Sequence, residues 1–202
     1  LIEEFVPASE HHKISWMAMS QKYHGAMLAK RSLNSIAGEL VRSYQTTMTV
    51  VSSSNQPKIV YSDELYRLRT DFATFLFLIR SNLDQFSSVI QFLTGPKAKQ
   101  FSSFADVITK ASGPNPPDEV PEALRTHLTE RCTWFWRMRD VRDYIAHHVF
   151  VRLHLVESRT KTLEFYIHHR LNMLELADEF MTGFDALLAE IDHAYAHRIR
   201  AA

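Results

Sequence analysis

Residues 134 to 149 read Trp-Phe-Trp-Arg-Met-Arg-Asp-Val-Arg-Asp-Tyr-Ile-Ala-His-His-Val, with three arginines, two aspartates and two histidines in a few turns. Trp134, Met138, Val141, Ile145 and Val149 recur at steps of three and four, which predicts a helix with one apolar face towards a core. On that helix Arg139, Asp143 and His147 are successive i, i+4 neighbours, so the Asp143 carboxylate can reach a ring nitrogen of His147 and fix its tautomer. An imidazole moves protons near neutral pH, and a guanidinium presents a planar charged fork to phosphate oxygens. The two together suit proton transfer beside a phosphate group whose growing charge the guanidinium stabilises.

Within the same stretch, Arg142-Asp143-Tyr144-Ile145-Ala146-His147 resembles the signature of the HEPN superfamily (higher eukaryotes and prokaryotes nucleotide-binding). That signature is an Arg, a polar residue, a short mostly apolar spacer and a His on one helix of an α-helical bundle. The resemblance covers about six residues and their helical context. It implies a metal-independent endoribonuclease that dimerises so that two copies of the motif share one RNA cleft, leaving a 2′,3′-cyclic phosphate and a 5′-hydroxyl. Carried over residue by residue, it makes Arg142 and His147 the catalytic pair and Asp143 the polar orienting residue. One subgroup has a Tyr two positions after its His; here Val149 stands there, so that subgroup's particular features are not carried over.

Each of these residues also has a plainer reading. A helix of this composition is commonly a solvated face with i, i+4 ion pairs, and Arg139 suits either a phosphate or Asp143. Tyr144 and His148 are another i, i+4 pair, placed for substrate binding, with Tyr144 either stacking a base or half-buried in packing. Arg142 and His147 stand about 140° apart around an ideal helix. They can serve one phosphate only if Arg142 reaches around, the helix distorts, or two subunits contribute to one site.

Other chemistries are poorly supplied. His193 and His197 have an i, i+4 spacing that can hold zinc, but they lack a His-Glu-x-x-His pattern and a third ligand, and the adjacent pairs His11-His12 and His168-His169 fall at predicted element ends. No Gly-flanked Ser and no Gly-rich phosphate loop occurs among the five glycines, so neither a metal nor another cofactor is expected. The 202 residues are 46% hydrophobic and carry 23 basic and 23 acidic side chains. With no global positive charge, RNA contact must come from a local patch, for which Arg137, Arg139 and Arg142, flanked by Arg131 and Arg152, form the best cluster. The single Cys132 excludes an internal disulfide and fits a reducing cytoplasm, and no apolar run is long enough to span a membrane.

Helices are predicted from about Ser9 into the forties, from Ser62 to Thr94 before Gly95-Pro96, and briefly within 97–110 through Phe101, Phe104 and Ile108. Another begins with Pro121 and carries Leu124, Leu128 and Cys132 into the central stretch. The last runs from about Leu171 through Met181 to Ile199. Ser52 to Pro57 and Ala111 to Pro117 read as loops. Between 149 and 168 the period changes to two. Val149, Val151, Leu153 and Leu155, then Leu163, Phe165 and Ile167, alternate with other residues across a polar turn, predicting a β-hairpin that must pack on the bundle or on a second subunit.

The expectation is therefore a single, mainly all-α domain, a HEPN-like bundle of four long helices with a β-hairpin insertion at about 149–168. Its expected role is a cytoplasmic, homodimeric RNA-cleaving toxin or defence effector, with an antitoxin or other protein partner. The alternative is a non-catalytic module of the same fold that binds a nucleotide or a protein.

Overall fold

The computed structural model describes residues 8–51, 63–94, 101–117, 120–148, 153–157, 163–167 and 171–199, and among these nine elements follow one another. They are α1 (Ala8–Val51), α2 (Asp63–Thr94), α3 (Phe104–Ala111), α4 (Glu122–Glu130), α5 (Thr133–His147), β1 (Leu153–Glu157), β2 (Leu163–Ile167), β3 (Leu171–Asn172) and α6 (Met173–Ile199). The chain is mainly all-α, as its periodicity predicts, with a small antiparallel sheet.

The two longest helices, α1 and α2, lie antiparallel. Ser32 Oγ donates to Asp71 Oδ2 at 2.5 Å near one end, and Lys22 Nζ donates to Ser81 Oγ at 2.7 Å nearer the other. Along the α2 stripe Leu68, Phe72, Phe75, Leu76, Ile79 and Leu83 are all fully covered. α6 crosses the same core antiparallel to α1, tied by Lys30 to Asp178 at 2.7 Å and by the Tyr23 hydroxyl donating to Asp185 at 2.8 Å. Phe180 and Phe184 of α6 are fully buried, and the edge of Phe184 meets Phe86 of α2 at 6.0 Å between ring centres. Burial on this scale, at about 25 cal/mol per Å² of apolar surface, is the main force holding the helices together.

The structure corrects the sequence reading first at the junction of α4 and α5. The helix expected to run unbroken from Pro121 to the central stretch is two helices, parted at Arg131 and Cys132, and Pro121 is the N-cap of α4 rather than its first residue. α4 closes with the Arg131 N–H on the His127 carbonyl, and α5 opens with the Phe135 N–H on the Cys132 carbonyl. The cause is packing. On one straight helix Cys132 and Trp134 point about 200° apart, yet Leu128, Cys132, Trp134 and Phe135 are all buried here, and only a break lets them share one interior. α3 likewise starts later than expected, at Phe104, because the Ser103 hydroxyl caps it by accepting from the Asp106 N–H.

The predicted hairpin is formed by β1 and β2, with Leu153 opposite Ile167 and Glu157 opposite Leu163. Leu163, Phe165 and Ile167 are buried in the same cluster as α6, so this face packs on the bundle. The segment expected to open the last helix instead pairs with β2 as β3. Asn172 then caps α6, its Oδ1 accepting from the Leu174 N–H at 3.0 Å. The 52–57 connector, Ser62, Gly95-Pro96, Val149 to Arg152, the 158–162 turn and the His168-His169 pair lie outside the described residues, as do the side chains of Ser9, His11, His12 and His197.

Candidate functional site

α5 is positioned by its apolar side. Trp134, Phe135, Met138 and Val141 are buried and Ile145 is half-buried, which turns Arg139, Arg142, Asp143 and His147 outward. The edge of Phe135 packs against Phe104 at 5.2 Å, while Trp134 lies flat against Gly183 of α6. These contacts fix the rotation of α5 about its axis, and with it the direction in which the polar residues face.

An open groove of about 620 Å³ runs between α2 and α5, lined by Thr70, Thr74 and Phe77 on one side and by Arg142, Asp143, Ala146 and His147 on the other. Helical geometry explains how both motif residues border it. Taking Arg142 as origin, Ala146 lies near 40°, Asp143 near 100° and His147 near 140° around the axis, so the four form one continuous arc with Arg142 and His147 at its edges. The short side chain of Ala146 leaves room between them.

Asp143 is held by two guanidiniums. Arg142 donates to Asp143 Oδ1 from Nε at 2.9 Å and also from Nη2, and Arg139 Nε lies 3.8 Å from Oδ2. Among the described residues Asp143 hydrogen-bonds Arg142 rather than His147. Arg139 also rests over the half-exposed Trp136 ring, 5.8 Å from its centre. The ring of His148 stacks on Tyr144 at 4.2 Å, and its Nδ1 lies 2.8 Å from the Tyr144 carbonyl oxygen. One face of Tyr144 is thereby covered from within the chain. Arg137 of the expected patch pairs with Glu179 of α6 at 2.5 Å.

Two residues escape the sequence reading. Arg80 of α2 keeps only 14% of its side chain exposed, with its guanidinium 5.2 Å above the Phe135 ring and Nη2 3.0 Å from Asp84 Oδ1. Its Nε and Nη1 are buried without a partner among the described residues. Burial pushes its pKa down, Asp84 opposes this, and the nearby Arg142 and Arg139 push it down further. The available signal is a lone arginine inside the apolar run Phe72 to Leu83. Phe77 is 66% exposed on the groove wall, and its signal is an aromatic residue off the buried stripe of α2.

A second depression of about 490 Å³ lies between α4 and α6, lined by residues that include Glu122, His127, Glu130 and Glu190. The His127 ring is buried, and its Nε2 has no partner among the described residues. Burial pushes its pKa below the ordinary value, against the opposing charge of Glu190. Among the described residues no group of three or more His, Cys, Asp and Glu side chains is placed to hold a metal ion, and no helix is long and apolar enough to cross a membrane. Comparison with protein-family models, with curated proteins and with solved structures gives no significant match.

Proposed function

We propose that the chain is a HEPN-like, metal-independent endoribonuclease in which Arg142 and His147 act on one phosphate. The observation that carries this reading is that both residues border the same groove, separated only by Ala146 and Asp143. His147, exposed at the last turn of α5, either takes the proton of the 2′-hydroxyl or gives one to the leaving 5′-oxygen, the other proton being exchanged with water. Arg142 exchanges its contact with Asp143 for the phosphoryl oxygens and stabilises the charge that grows there. Asp143 holds the guanidinium in place until a phosphate arrives, with Arg139 as a second phosphate contact. As the resemblance implies, two copies of the chain pair to complete the site, in a toxin or defence setting where a protein partner restrains the activity.

The test is RNA cleavage in excess chelator by the parent, Arg142→Ala and His147→Ala, with the solution mass of each. The parent is expected to cut single-stranded RNA as a dimer, leaving cyclic phosphate and 5′-hydroxyl ends, and each substitution to slow cleavage by about 10²–10⁴-fold. Equal rates in all three proteins remove the assigned pair.

One observation favours a second reading, a non-catalytic module that binds a nucleotide or protein partner. Arg142 is already engaged by Asp143 through two of its nitrogens, which is also how a purely structural arginine behaves. A folded parent that binds RNA and never cuts it supports that reading.

A further inference from the structure

Phe77 takes no part in the core. Its neighbours Phe75, Leu76 and Ile79 on α2 are fully covered, whereas Phe77 keeps 66% of its surface in water. The residues around it make the wall apolar. The Thr70 hydroxyl donates back to the Tyr66 carbonyl at 3.0 Å, which satisfies its polar atom within the helix. Across the groove stand Arg142, Asp143 and His147.

The groove therefore has an exposed aromatic side chain on one wall and a paired arginine and aspartate beside an imidazole on the other. Among the described residues that line the groove the charged side chains are Arg142 and Asp143, paired with each other, so an anion is held there by taking the place of the Asp143 carboxylate on Arg142, as the nuclease reading has it. An occupant with a planar apolar face beside an anionic group fits this arrangement, and a nucleotide unit has that form. The groove volume is in the range of about 300–1,000 Å³ that small ligands fill.

We infer that Phe77 is the stacking platform for an unpaired RNA base next to the phosphate held by Arg142. This inference rests on the nuclease reading for the place of the phosphate. It adds the residue that makes the site choose unpaired RNA, since bases inside a duplex have no free face to offer an aromatic ring. The Tyr144 ring has one face covered by His148, whereas Phe77 lines the groove itself and is mostly exposed.

The experiment measures anisotropy of a short fluorescent single-stranded RNA, its duplex, and a strand with abasic sites in place of bases. Each is titrated with His147→Ala protein, which keeps the RNA whole, with and without Phe77→Ala or Phe77→Trp. Phe77→Ala is expected to weaken single-strand binding by about 5- to 150-fold, the usual range for losing a stacked base. It should leave abasic-strand binding and the far-ultraviolet circular dichroism unchanged. Phe77→Trp should restore binding, and the duplex should bind less well than the single strand to the Phe77 protein. The inference is overturned if Phe77→Ala binds the single strand as its parent does, or weakens the abasic strand equally. It is also overturned if the substitution splits a dimer into monomers, which makes Phe77 a subunit contact. Phe77-dependent binding without any cleavage by the unsubstituted protein sinks the nuclease reading alone, and cleavage with Phe77-independent binding sinks this inference alone.

Discussion

His127 shows what burial does to a titratable side chain whose Nε2 has no hydrogen-bond partner among the described residues. Its ring is kept neutral by desolvation, so the folded protein resists a proton that the unfolded chain accepts below about pH 6.5. The unfolded state binds more protons in that range, so stability falls as pH drops below about 6.5 and levels off only once the folded ring protonates. Thermal unfolding of the parent and His127→Leu across pH 5 to 8 should show a Tm difference that is constant above about pH 6.5 and shifts against the parent below it. A constant difference at every pH means the ring does not titrate on unfolding. Cys132 obeys the same physics. Burial raises its thiol to about 12, which makes it a packing residue with no thiolate at neutral pH.

Among the elements, the contact between α5 and α6 helps to set the direction of the groove residues. A Cβ added to Gly183 falls 2.6 Å from three atoms of the Trp134 ring, closer than atoms pack. Gly183→Ala is therefore expected to lower stability by about 1–3 kcal/mol, read as a Tm several degrees lower. Trp134→Phe combined with it should cost less than the two changes added, because the smaller ring relieves the clash. An unchanged Tm for Gly183→Ala shows that the helices part there freely. The extent to which these elements were legible in the sequence follows from how many residues vote on each. Nine apolar positions mark α2, from Leu65 to Leu93, and the alternation of Leu163, Phe165 and Ile167 marks β2. The break at Arg131 has no glycine or proline to announce it; it exists because Leu128, Cys132, Trp134 and Phe135 must all go inward, a demand set by other helices. The exposure of Phe77 and the covering of Arg80 are likewise decided by what α5 does beside them. Arg142, Asp143 and His147 were legible as a spaced set, while their sharing of one groove with α2 was not.

At the scale of the whole molecule, 23 basic and 23 acidic side chains balance, so no broad field draws nucleic acid in. Binding that relies on Arg139 and Arg142 neutralises about two phosphates. The slope of log K against log salt for single-stranded RNA should then be only about −1 to −2, against much steeper values for proteins with extended basic surfaces. A slope beyond about −4 places the RNA on some other face. The doubly held Asp143 carries a further consequence. Arg142 comes with an anion that is covalently attached and cannot diffuse away, so an arriving phosphate swaps one negative group for another and liberates few mobile ions. Polyanions in general gain little from such a swap, and selectivity passes to whatever else the visitor can offer to an aromatic surface.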